Sequence, residues 1–381
     1  MRTPAVHPFL LGVLREPDPG ALGARPAADW EVVVRDAIAQ GVAPFLYRWL
    51  KRAGAAGELP PELAARLERE CFAVAARNML LAGELADILR AFARSEVPCA
   101  PLRGLALAER LYGDITARRM GDLDLLVRRD DLPRVGAILR GLGFRELDRS
   151  TGFARAFSYT LEFFKDRHGW IVVEPHWTIT YPPFVDRVDM EAVWRRCVPG
   201  RVMGEEAWLL GPEELLFHLC LHVSHRKEDA PLLWFYDVDR LLRQDPRRLD
   251  WSRVLSLAGE TKLAYLLAGV LREVRALFAT PIPEAIMGEL SREPPRSLEG
   301  RLLRLVAGPV RVDGKESLAA LFALKGLRTK LRYARTLLFP SPEFMQIHYG
   351  LTRPGHVGLA YLRRVCRFSW EGSKGLVRLL F

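Results

Sequence analysis

The stretch Gly121-Asp122-Leu123-Asp124-Leu125-Leu126-Val127 constrains this chain more than any other. Acids and leucines alternate over four residues and then give way to an apolar run. As a strand, whose side chains alternate between faces, it sends Leu123 and Leu125 into a core and projects Asp122 and Asp124 together. Two carboxylates about 7 Å apart along a rigid strand suit hard divalent cations, which take oxygen ligands. They can also bridge two metals about 3.5–4 Å apart, the spacing used for in-line phosphoryl and nucleotidyl displacement. An Asp-x-Asp pattern is common by chance, so its surroundings decide what it means.

Those surroundings are informative. Trp170 to Trp177 (WIVVEPHW) reads as another strand, with Glu174 and His176 on the same face as Trp170 and Val172. An acid within an otherwise apolar strand is costly to bury unless something pairs with it, and a metal shared with the aspartates would do so. Upstream, Val97 to Arg103 is short, apolar and proline-containing, ends at Gly104, and leads into a helical run from Leu105 to Tyr112. A glycine between strand and helix permits close approach of backbone to a phosphate, and a helix N-terminus offers free N–H groups. Arg103 is placed to neutralise a phosphate oxygen, with Arg118 or Arg119 as a second candidate. The alternative is a tight turn with solvent-facing arginines.

The wider chain reads as α+β, a small mixed sheet between helical flanks. Glu62 to Arg94 sets Leu63, Leu67, Phe72, Leu80, Leu85, Ile88 and Leu89 on a broad apolar stripe, opened by Pro60-Pro61. Leu132 to Leu142 reads as a helix closed by Gly143, Phe157 to Phe164 as a strand, and His168-Gly169 as the turn before the Glu174 strand. From Tyr181-Pro182-Pro183 onward the pattern is helical: a helix opened by Pro212-Glu213-Glu214, then Trp234–Leu242 and Leu263–Phe278, a looser segment around Pro294-Pro295, and a basic helical end from Leu302. The expected regions are 1–95, 96–182, 183–290 and 291–381.

Composition narrows the class. Apolar residues make up 49% and charged residues 27%, enough apolar mass for a proper core, which excludes a disordered or collagen-like chain. No stretch reaches eighteen uncharged apolar residues, so no transmembrane segment is expected. The five cysteines are scattered without a CxxC pair, and the first twenty residues make a poor signal peptide; both favour a cytoplasmic setting. Fifty-six basic against 46 acidic residues give a formal charge of +10, which favours polyanionic partners. The basic C-terminal region mixes Leu, Tyr and Phe with Arg and Lys. Nucleic-acid contact, anionic membrane contact and a merely solvated face all fit it.

His218, His222 and His225 fall at i, i+4 and i+7 of HLCLHVSH and so share a helical face. They read as hydrogen-bonded core groups, as lining of a pocket near Glu228 or Asp237, or as a zinc half-site. Asp237 and Asp239 read as helix-surface or interhelical carboxylates.

Taken together, the basic-Gly corner at Arg103-Gly104, the ALAERLY helix, the GDLDLLV strand, the E-x-H-W strand at Glu174–Trp177, the histidine helix and WFYDVDRLL carry a resemblance. From about Met79 onward, and including LFPSPEFMQIHYG near the end, the chain resembles the uncharacterised nucleotidyltransferase family of the DNA polymerase beta-type superfamily. The resemblance implies that 96–182 is the nucleotidyltransferase core and that 183–290 covers the nucleotide cleft. It implies transfer of a nucleoside monophosphate from an NTP, ATP first, to a hydroxyl acceptor on a protein, peptide or small molecule, with Mg²⁺ or Mn²⁺. By position, Asp122 and Asp124 would hold both metals, Glu174 would complete the site, and Arg103, Gly104, Leu105 and Arg118 would meet the nucleotide. Apart from the resemblance, His176, His222 and His225 are candidates to line the pocket, with a structural role as the other reading. Two departures stand out: the superfamily's Gly-Ser pair is Gly104-Leu105, and the basic residue often found as Lys is Arg103. ATP-dependent phosphoryl transfer and a non-catalytic nucleotide- or nucleic-acid-binding module are the alternatives.

Overall fold

A computed structural model describes residues 6–15, 27–148, 150–166, 169–225, 230–244, 249–292, 300, 315–351 and 356–380. His168, Glu228, Pro294-Pro295 and the start of the basic region at Leu302 lie outside these residues.

The prolines at 60 and 61 open the long helix as the sequence indicates. After α1 (Pro8–Arg15), α2 (Ala27–Ala39) and α3 (Ala43–Arg52), α4 runs from Pro61 to Arg94. Its buried side chains change core along its length. Leu63 and Leu67 pack with α1–α3, whereas Leu81, Leu85, Ile88, Leu89 and Phe92 lie against the sheet. Phe72, expected in the stripe, is 66% exposed. Val74 and Leu81 define the buried side, and Phe72 is two residues, about 200° of helix, from Val74.

The sheet is mixed: β1 (Cys99–Pro101), β2 (Asp122–Val127), β5 (Trp170–His176), β4 (Glu162–Asp166) and β3 (Arg145–Leu147), in that spatial order. The β2–β5 pair is parallel and the other three pairs are antiparallel. One face is closed by α4 and α6 (Leu132–Gly141), with Leu123, Leu125, Val127, Ile171 and Val173 in that core. Leu126, one residue out of phase, belongs instead to the helical core that covers the opposite face. The alternation read from GDLDLLV is therefore the alternation of the fold.

Two local expectations are corrected. Phe157–Phe164 is not one strand: α7 occupies Phe153–Phe157 and the strand begins at Glu162. Phe153 and Phe157, one helical turn apart, both pack on Tyr333, a contact that only a helical spacing provides. The stretch after α8 (Met190–Arg196) is not wholly helical either. Val198–Val202 (β6) and Glu205–Leu209 (β7) form a hairpin, its two-residue turn built from Met203 and Gly204, both at positive φ. The helices α9 (Pro212–His225), α10 (Leu232–Gln244), α11 (Trp251–Glu260), α12 (Ala264–Phe278) and α13 (Glu284–Leu290) then build the helical core, which they share with α1–α3. Among the described residues the helices Lys315–Ala323, Leu327–Leu338, Pro342–Tyr349 and His356–Leu380 follow. Among the described residues no helix is long and apolar enough to cross a membrane.

Candidate active site

The parallel pairing of β2 with β5 sets Asp124 opposite Glu174 and Asp122 opposite Val172. Paired residues point to the same face, so adjacent strands bring two carboxylates together and Asp122 follows one step along. His176, two residues beyond Glu174, faces the same way. One ligand atom from each of Asp124, Glu174 and His176 lies within 4.8 Å of the others. His176 Nε2 is 3.0 Å from Asp124 Oδ1 and 3.6 Å from Glu174 Oε2. Its buried Nδ1 has no hydrogen-bond partner among the described residues.

The turn beyond β1 supplies the cation. Leu102 N–H donates to the Asp124 carbonyl at 2.9 Å, so the chain leaves β1 beside the acids. Arg103 then donates through Nη2 to Asp124 Oδ1 and lies against the His222 ring. Gly104 has φ +58 and ψ −116, a combination that glycine alone tolerates, and it initiates the Leu105–Leu107 helix, continued by a wider turn over Ala108–Tyr112. Leu105 is 1% exposed and packs in the core under the sheet, so only its backbone remains for a ligand.

The loop from Gly113 to Gly121 is clamped from two sides. The buried Asn78 of α4 donates through Nδ2 to the Arg118 carbonyl at 2.8 Å, and Arg77 donates to the Gly121 carbonyl at 3.1 Å. Arg118 turns inward to α10. Its Nη2 and Nε meet Asp237 Oδ2 at 2.8 and 3.1 Å, and Tyr112 Oη donates to Asp237 Oδ1 at 2.8 Å. The Arg118 charge is thus engaged by a buried carboxylate, although the residue also borders the cavity.

Burial and like charge set the electrostatics. Asp124 beside it, together with burial and the nearby Glu174, pushes the Asp122 carboxyl up to about 7. Burial opposes ionisation of Asp124 too, but the Arg103 guanidinium and the His176 hydrogen bond outweigh it and hold Asp124 well below the usual range. Burial would lower the His176 pKa, yet hydrogen bonds to Asp124 and Glu174 raise it. Burial and the Arg103 charge lower His218 to about 3 and hold His222 well below its ordinary value.

These groups line a cavity of about 880 Å³ between α4, the sheet, α9 and α10. Asp122, Asp124, Glu174, Arg103, Gly104 and Arg118 all border it, as do His222 and His225. His176 sits behind the acids at 2% exposure, and His218 is drawn away, its Nδ1 3.0 Å from the Ile179 carbonyl. The histidine helix does not gather a metal cluster among the described residues; the acids and His176 do. Beside Arg103, Trp234 packs on His222 with centroids 4.0 Å apart, and His225 packs on Tyr181 at 4.3 Å. Tyr159, Trp234 and the Asp237 partner of Arg118 were not singled out from the sequence as site residues. The signal for Asp237 was an acid inside the apolar WFYDVDRLL helix.

The donor chemistry fits divalent cations. Three carboxylates converge, Arg103 pairs with Asp124, and the Asp124 charge together with burial makes Asp122 resist ionisation, a charge excess that a divalent cation would offset.

A family model described as an uncharacterised nucleotidyltransferase matches residues 26–279. No curated protein matches the chain. The solution structure of the antibiotic-resistance factor ANT(2'')-Ia is similar over 53% of this chain and 95% of its own, at 18% identity and a TM-score of 0.32.

Proposed function

Because the chain belongs to this family of uncharacterised nucleotidyltransferases, we propose that it transfers a nucleoside monophosphate from an NTP, ATP first among them, to a hydroxyl on a protein, peptide or small molecule, with Mg²⁺ or Mn²⁺ at the acids. The observation that carries the reading is the convergence of Asp122, Asp124 and Glu174 from two paired strands on one cavity wall beside Arg103.

Asp122 and Asp124 would hold the ions, with Glu174 completing the site toward the acceptor. Bound there, divalent ions would neutralise the triphosphate and the charge that develops during displacement. The chain's own groups do the rest. Arg103 offers a fixed cationic fork to a phosphate oxygen, and the Gly104 turn lets the backbone come close to it. The acceptor oxygen attacks the α-phosphorus, the bond to the pyrophosphate oxygen breaks, and the hydroxyl proton goes to a carboxylate. Glu174 is the candidate base by position. Asp124 is engaged by Arg103 and His176 and held well below the usual carboxylate range, whereas the Glu174 side chain is 24% exposed and lies 3.6 Å from His176 Nε2. His176 orients both acids. His222 and Trp234, which border the cavity, would meet the base, and catalysis rests on positioning and electrostatics.

The test is an acceptor screen with NTP labelled at the α-phosphate and, in parallel, at the γ-phosphate. Incorporation of α-label that Asp122→Asn with Asp124→Asn abolishes is the expected result. Incorporation of γ-label alone would make the reaction phosphoryl transfer. Activity that survives the double substitution would end the metal-site reading.

A further inference from the structure

The charge of this chain is not spread along it. Residues 1–300 carry 41 Lys and Arg against 42 Asp and Glu, whereas residues 301–381 carry 15 against 4. The whole formal excess of +10 therefore sits in the last fifth of the sequence, not in the segments that carry the acids.

The helix His356–Leu380 displays that charge in a particular way. Its inner side is fixed to its neighbours. Arg364, 5% exposed, donates through Nε to the Leu337 carbonyl at 2.8 Å and through Nη1 to Tyr349 Oη at 2.8 Å. Ala360 and Val357 are buried on that side, and Tyr361 Oη donates to the Pro340 carbonyl. The register of the helix is thereby set, and its other side turns to solvent. There Leu359 is 51% exposed, Leu362 62% and Trp370 66%, with Arg363 and Arg367 exposed beside them. Spacings of three, four and seven residues place Leu359, Leu362, Cys366 and Trp370 on one stripe, with the two arginines along its flank. The adjoining helix Leu327–Leu338 exposes Leu327 and Leu331 one turn apart, 72% and 60%, next to Arg328 and Arg332.

Large apolar side chains in water are unfavourable, and a stripe of them rimmed by one sign of charge indicates a partner with both properties. Phosphates and bases would use the arginines but gain little from leucines. A second copy packed on the same stripe would set like charges against each other. A bilayer with anionic headgroups satisfies both halves, an acyl region for Leu and Trp and phosphate-level charge for Arg. We propose that the outer face of the helix His356–Leu380 seats the protein on an anionic lipid surface, lying in the interface rather than spanning it. This holds whether or not the acid cluster transfers nucleotides.

The test is flotation of the full chain with vesicles of phosphatidylcholine plus phosphatidylserine, and of phosphatidylcholine alone. The protein is expected to float with the anionic vesicles and to remain in solution with the neutral ones. Arg363→Gln with Arg367→Gln should weaken binding about fivefold per charge. Leu359→Ser with Leu362→Ser and Trp370→Ser should weaken it more than about tenfold, at low as well as high salt. Acyl chains brominated near the headgroup should quench tryptophan emission in the parent, and Trp370→Phe should remove that quenching even if the triple variant folds poorly. The Asp122→Asn, Asp124→Asn protein should float like the parent, which separates this proposal from the catalytic one. Equal binding to both kinds of vesicle, or flotation unchanged by the apolar substitutions, would overturn it. So would oligonucleotide binding that needs the arginines but not the leucines, or a dimer in sedimentation that the triple variant dissolves.

Discussion

Arg118 and Asp237 form a buried pair on which the cavity wall depends, and truncating one partner gives a large, calculable effect. Their side chains are 5% and 2% exposed, and Tyr112 is the further donor to the carboxylate. Arg118→Ala removes the whole guanidinium and leaves Asp237 buried without its cation and held by one phenol. Burial and the Asp237 charge push the Tyr112 pKa well up, so that phenol remains a donor throughout. Breaking a buried pair in this way costs about 3–5 kcal/mol, against about 0–1 kcal/mol for an exposed pair. Urea unfolding of Arg118→Ala should show that loss. Arg118→Met combined with Asp237→Leu should recover most of it, because no orphan charge is left. Arg118→Lys should fall between, since a point charge cannot reproduce the two-atom contact. A loss below about 1 kcal/mol for Arg118→Ala would refute the argument. A stable Arg118→Ala protein with only a raised KM for NTP would instead make Arg118 a nucleotide contact.

Other outcomes follow from the same geometry. Leu105→Ser installs the serine that the sequence resemblance leads one to expect beside Gly104 but hollows the core under the sheet, so thermal unfolding should show a loss of about 2–5 kcal/mol and nucleotide affinity should not improve. Gly104→Ala must hold φ +58 with a Cβ, so a cost of about 1–3 kcal/mol and a raised KM for NTP are expected from melting and kinetics. Asp122 ionises near 7 when folded and near 3.8 when unfolded, so the folded metal-free protein holds the extra proton in that window. Its stability should therefore fall as pH rises from about 4 to 7, and Asp122→Asn should flatten that slope in pH-dependent melts. Divalent binding should release that proton, so calorimetric heats near pH 6.5 should depend on the buffer's ionisation enthalpy.

The acid cluster was legible because a strand's two-residue period admits little ambiguity. Once GDLDLLV is a strand, Asp122 and Asp124 share a face, and an acid in WIVVEPHW needs a partner of this kind. Pro60-Pro61 and Gly143 marked helix ends by local chemistry alone. What escaped depended on contacts distant in sequence. Phe153 and Phe157 lie one helical turn apart with both rings on Tyr333, and nothing near 157 announces that residue. The β6–β7 hairpin had a local signal in Met203-Gly204, overlooked because the flanking residues are not strongly apolar. Phe72 sits outside the stripe because the register of α4 is set by two cores, at Leu63 and at Leu81. The pairing of Arg118 with Asp237 joins positions 119 residues apart, and only the fold brings them together.

Mn²⁺ binding followed by electron paramagnetic resonance addresses the acid cluster most directly, with the parent, Asp122→Asn, Asp124→Asn and Glu174→Gln titrated with and without ATP. The parent should bind Mn²⁺ more tightly with ATP present, and each substitution should weaken binding by at least about tenfold. Equal Mn²⁺ affinity in all four proteins would contradict the account.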